Sequence, residues 1–214
     1  MEIKIGKLKI SGAALLALAA AYFFDTGGIF AAVLIAIAVH EAGHFAALKA
    51  SGQHITELKL EPWGLAMRRD SGLSYKSEII TAAAGPVASL LLAVAASLIG
   101  RYFAWQEAYI ISGVSFIFFI FNILPAIPLD GGKIIYAAAA LVVGLEKAER
   151  ISCVLSCAVI MALLIAGTAV LMKTKVNFTL LLAAIWMLIS YCKRSGVSIK
   201  SRGKIDGSES WIRN

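Results

Sequence analysis

The chain has 214 residues, of which 60% are hydrophobic and only 15% charged, and its mean hydropathy is +0.83. That balance excludes an ordinary soluble domain and marks an integral membrane protein surrounded by the lipid bilayer. The formal charge of +7 does not indicate nucleic acid as a partner, because the Lys and Arg residues lie between apolar runs rather than along one face. Cys153, Cys157 and Cys192 are odd in number and sit in or beside apolar segments, so no disulfide framework is implied.

Residues 1–10 read as a short basic head, and the first apolar run, about 11–24, is near the lower limit for crossing a bilayer. It lacks the small-residue cleavage site of a removed signal peptide. Asp25-Thr-Gly-Gly28 is a tight turn. Further apolar runs follow at about 29–50, 79–99, 108–128, 151–172 and 177–192. The expected fold class is therefore an all-α membrane protein with six transmembrane helices. Residues 1–192 form its core, and 193–214 a basic, mobile tail with too little apolar content to build a domain.

Six crossings put both termini on one side. With that side cytoplasmic, the inner segments hold 17 of the 20 Lys and Arg residues, and the outer loops only Arg101, Lys173 and Lys175. The positive-inside rule then sets the orientation: a multi-pass protein of the cell membrane with cytoplasmic termini. His40, about nine residues before Lys49, lies roughly 14 Å below the inner surface by helical rise.

The inner loop at 51–78 contains Ile-Thr-Glu-Leu-Lys-Leu-Glu (55–61), alternating in polarity, then Pro62-Trp63-Gly64 and Leu65-Ala-Met-Arg-Arg69. This reads as a small β-hairpin at the inner surface, with an amphipathic surface loop as the alternative. Residues 133–145 are apolar but short for a span, and are expected to form a helix leading from the 122–132 loop toward the inner face. A polar turn at 146–150 would follow.

Chemistry concentrates in the run Val33–Leu48, which contains His40-Glu41-Ala-Gly-His44. Two histidines four residues apart on a helix project from one face, about 6 Å apart along the axis, and can share a metal ion. The intervening glutamate in such helices is a general base rather than a ligand. Ionisable side chains at membrane depth are costly and usually mark function.

The second constellation is Asn122-Ile-Leu-Pro125-Ala-Ile-Pro128-Leu-Asp130-Gly131-Gly132. Two prolines three apart prevent a regular helix, and irregular backbone at membrane depth persists only where protein or a water-filled cavity covers it; a cavity is expected here. The runs at 29–50 and 108–128 cross in the same direction, so Asp130 comes to the depth of His40 and His44. It completes a two-histidine, one-carboxylate site with an open position for water, the arrangement of catalytic zinc. The structural alternative for Asp130 is an N-cap of the helix beginning near Gly131. Asn122 orients substrate or stabilises a developing oxyanion with its amide, or else bonds a nearby carbonyl. Ala82–Pro86 reads as a small-residue, kinked contact between helices. Cys153 and Cys157 read as apolar packing, and His54 as a surface residue.

Together His40–His44, Ala82–Pro86 and Asn122–Gly132 resemble the site-2 protease family of intramembrane zinc metalloproteases, over about residues 8–192, and within it the stage IV sporulation FB branch. The resemblance implies one Zn2+ held by His40, His44 and Asp130, Glu41 as catalytic base, and Asn122 in the substrate-binding region with Pro125 and Pro128. It implies substrates that are membrane-associated proteins, in the sporulation branch a sigma-factor precursor, with inhibitory or regulatory membrane proteins as further partners. The chain departs from the pattern in offering no sequence after the last span for a CBS domain and no inserted PDZ domain. A membrane metal-binding or transport protein remains an alternative, as does an inactive scaffold. A transporter calls for charged residues along the outer half of the bundle, and the spans there are Ala, Leu, Ile, Val and Phe.

Overall fold

The computed structural model describes residues 2–5, 8–11, 19, 22–23, 25, 28–53, 55–61, 64–69 and 73–202, with backbone alone in the strands and at 193–202. Most of the first apolar run lies outside these residues, as do His54, the Pro62-Trp63 turn and the tail beyond 202. In chain order the elements are β1 (Glu2–Ile5), β2 (Leu8–Ser11), α1 (Ile29–Ala50), β3 (Ile55–Glu61), β4 (Gly64–Arg69), α2 (Tyr75–Phe103), α3 (Gln106–Asn122), α4 (Asp130–Val143), α5 (Leu145–Thr174) and α6 (Thr179–Arg202).

Helix α2 is the scaffold: α1, α3 and α4 all pack against it, while α5 continues from α4 and α6 packs on α5. Its buried side is a row of small or short polar residues, among them Thr81, Gly85, Ser89, Ala93, Ala96 and Gly100. Large apolar residues such as Leu91, Val94 and Leu98 point outward. Small residues inside and large ones outside is the packing of helices surrounded by lipid, where close backbone approach replaces the hydrophobic effect. Helices α1, α2 and α5 are long and apolar enough to cross a membrane; α3 and the Thr179–Cys192 part of α6 are shorter apolar helices.

Several expectations are corrected. The segment read as a basic head carries two strands: β1 and β2 pair antiparallel, and β2 runs parallel to β3, making a four-stranded sheet in the order β1-β2-β3-β4. The alternation Glu-Ile-Lys-Ile and Leu-Lys-Ile on either side of Gly6-Lys7 is a hairpin pattern that the basic charge had obscured. Residues 55–61 and 64–69 pair antiparallel as β3 and β4, with an irregularity between Ile55 and Glu57. The fold is thus mainly helical, as expected, with a four-stranded sheet in place of a lone hairpin.

Residues 146–150 are not a turn but the first full turn of α5, because the break falls at Gly144, whose φ of +83° ends α4. Helix α3 stops at Asn122, as the two prolines dictate. Helix α6 runs to Arg202, past the boundary expected at 192.

Candidate metal centre

Helix α1 presents His40 and His44 on one face, with ring centroids 4.8 Å apart and planes at 83°. Their Nε2 atoms approach to 3.1 Å. Each ring is held from behind. His44 Nδ1 donates to the Thr81 carbonyl at 2.8 Å, and since a carbonyl only accepts, Nδ1 carries the hydrogen and Nε2 offers a lone pair to the centre. His40 Nδ1 lies 3.0 Å from Ser89 Oγ, which is fully buried, while Phe118 of α3 packs edge-on against the ring at 5.3 Å. Outward partners of this kind fix tautomer and orientation in metal-binding histidines.

The helices meet this closely because of glycine. A Cβ on Gly43 would meet the Ala84 carbonyl, and a Cβ on Gly85 would fall inside the His44 imidazole. Thr81, Gly85 and Ser89, four apart on α2, therefore form one surface: a carbonyl, a space and a hydroxyl matched to the two rings.

Asp130 arrives from the other side. It is the first residue of α4; Leu129 is the N-cap and no side chain caps the helix, so the N-cap alternative for Asp130 does not hold. Its Oδ2 instead lies 3.1 Å from His44 Nε2 and 3.2 Å from His40 Nε2, in a residue only 3% exposed. The Ile123–Leu129 loop that delivers it contains the cis Ile127–Pro128 bond. Ile127 N–H donates to the buried Ser156 Oγ at 3.0 Å, and Ala126 and Leu129 pack with Ile160 and Met187. Protein from α5 and α6 thus packs against this irregular backbone, one of the two coverings that membrane depth requires.

The donor set fits a divalent ion. Three atoms that can offer lone pairs, two imidazole Nε2 and a carboxylate oxygen, stand 3.1–3.2 Å apart, close enough to share one cation. Tetrahedral zinc with bonds of about 2.0–2.1 Å separates its ligand atoms by about 3.3–3.4 Å. Among the described residues, His40, His44 and Asp130 are the group of His, Cys, Asp or Glu side chains close enough to share an ion. Cys153 is not part of the centre: its Sγ accepts a hydrogen bond from Tyr191 OH at 2.9 Å.

Glu41 lies half-buried on α1 between the two histidines in sequence. Asn122 is the last residue of α3, and its Nδ2 donates to the Phe118 carbonyl at 3.0 Å, the local bond that was its structural alternative. Pro125 and Pro128 are half-buried in the loop. Sequence reasoning passed over Thr81, Ser89, Lys133 and Ser156, although the four-residue spacing of Thr81, Gly85 and Ser89 was a signal for a small-residue face carrying polar groups.

A family model described as Peptidase M50B-like matches residues 13–126, about half of the chain. The chain belongs to the M50B-like peptidase family. The matched region contains His40, Glu41, His44 and Asn122 and stops four residues before Asp130, which the fold brings back to the histidines. A zinc metalloprotease of Methanocaldococcus jannaschii is 26% identical over 129 residues, which cover 58% of this chain and 38% of that protein. The match thus spans well under half of that relative's length. The solved structure of the site-2 protease from Methanocaldococcus jannaschii superposes with a TM-score of 0.67 at 18% identity, covering 100% of this chain and 99% of that one. At this identity the likeness establishes a shared fold.

Proposed function

We propose that this M50B-like peptidase is an intramembrane zinc metalloprotease that hydrolyses peptide bonds of membrane-associated proteins. The observation that carries the reading is the convergence of His40 Nε2, His44 Nε2 and Asp130 Oδ2 within 3.2 Å of one another, with Glu41 on the same helix as the histidines. His40, His44 and Asp130 would hold one Zn2+. When bound, the ion supplies a Lewis acid for the scissile carbonyl and lowers the pKa of water.

The chain's own groups do the rest. Glu41 accepts a proton from the attacking water and passes it to the leaving amine nitrogen. The Thr81 carbonyl keeps His44 Nε2 free of hydrogen, and the Ser89 hydroxyl orients the His40 ring. Asn122, Pro125 and Pro128 line the approach of substrate beside the centre. A helical substrate hides its peptide bonds and must unwind before attack. The sheet offers the unwound segment a place, since β4 is an edge strand and lies against α1. Two-residue separation of the paired Glu61 and Gly64 makes them exchange both bonds, so Leu65 and Met67 direct their N–H groups to the open edge.

The lysine and arginine distribution supports six crossings with both termini cytoplasmic and cleavage near the inner face. The sporulation-type motifs support a membrane-bound sigma-factor precursor as substrate, with membrane inhibitors as regulators. The test is co-expression with a panel of single-span and membrane-bound precursors, comparing the native chain with Glu41→Gln. The reading requires a cleaved product with the native chain and none with the variant. Equal cleavage by both contradicts it.

A further inference from the structure

One charged side chain at the centre has no part in the reaction described above. Lys133, one turn along α4 from Asp130, donates from Nζ to Asp130 Oδ1 at 2.8 Å, while Oδ2 of the same carboxylate faces the two histidines. The carboxylate is 4% exposed and the lysine side chain 45%, so the stem runs outward and the ammonium folds back onto the buried oxygen.

We propose that Lys133 is a positioning residue that holds Asp130 to one-oxygen ligation and so keeps a coordination position open for water. A carboxylate binds a divalent ion through one oxygen or both. Gripping with both adds a fifth donor beside the water and crowds the position that hydrolysis reserves for it. A charge-assisted hydrogen bond on Oδ1 withdraws that oxygen. The same contact compensates a buried carboxylate before any metal arrives, which an isolated charge at this depth would otherwise make costly. The spacing is part of the device: Gly131 and Gly132 pack against the backbone of Ile123 and Ala126, which fixes the first turn of α4 and sets Lys133 above Asp130.

This inference rests on the metal-centre reading, and the experiment separates the two. The full chain in detergent is loaded with Co2+, whose visible absorption is strong in four-coordinate sites and weak in five-coordinate ones. Native protein, Lys133→Met and Lys133→Arg are compared for bound Co2+ and for spectrum, with Lys133→Gln as a second deletion of the charge should Lys133→Met not fold. The expected result is a weaker, shifted spectrum in the uncharged variant, a native spectrum in Lys133→Arg, and kcat lower by about 10–100-fold with little change in KM. Superposable spectra and equal metal content in native and uncharged proteins overturn the proposal. So does a Lys133→Arg spectrum matching the uncharged variant. A native chain that takes up no Co2+ overturns the metal-centre reading instead.

Discussion

Gly85 of α2 lies directly against the imidazole of His44, with no room for even a methyl group between them. The contact explains why a glycine stands in the middle of a long helix, where it costs about 1 kcal/mol relative to alanine: the helix yields its side chain so that the second metal-binding ring can turn inward. Gly85→Ala should displace His44 from Thr81 O and abolish stable metal retention. The helix propensity gained should offset only part of an overpacking cost of about 1–3 kcal/mol. Metal content after dialysis, together with thermal unfolding, checks this.

Ser89 acts on the other ring. Its hydroxyl is the polar partner of His40 Nδ1, so Ser89→Ala leaves that nitrogen buried without one and frees the ring to rotate. Metal affinity should fall by about 10–100-fold, the range for lost outer partners. Competition against a coloured chelator measures it, and an unchanged affinity would show that Phe118 alone holds the ring.

Ser156 bears on the loop rather than the ion. Its Oγ accepts the Ile127 N–H. Ser156→Ala would strand a buried donor, at a cost of about 1–3 kcal/mol. We expect a lower unfolding temperature in detergent and a weaker activity, with the native number of metal ions still bound.

The edge strand gives a test of substrate handling. Met67→Pro removes an N–H directed to the open side of β4 while sparing the pairing with β3. Cleavage should drop about tenfold, from one lost main-chain hydrogen bond and the ring's clash with an incoming strand. Metal content should stay native. Proline at Leu58 or Leu60 is a poorer test, because β3 is paired on both sides and its loss would break the sheet.

What could be read in the sequence, and what could not, follows from the range of the interactions. His40 and His44 were legible because a helix converts a spacing of four into a shared face. Asp130 was legible because the two prolines forced a loop at the depth of the histidines. The partners on α2 were not, since Thr81 acts through a carbonyl, which any residue supplies, and Ser89 through a hydroxyl common in membrane helices. Residues 2–11 were misjudged because strands of four residues leave a pattern too short to outweigh their charge. The first turn of α5 was missed because Glu146–Arg150 is polar enough for a loop, yet is made of good helix formers once Gly144 has set the break.

The account stands or falls on Asp130 as a ligand shared with the two histidines. Elemental analysis of purified protein, comparing the native chain, Glu41→Gln and Asp130→Ala, measures this directly. We predict one zinc ion per chain in the native protein and in Glu41→Gln, and none above background in folded Asp130→Ala. Asp130→Ala retaining a full ion would contradict the account.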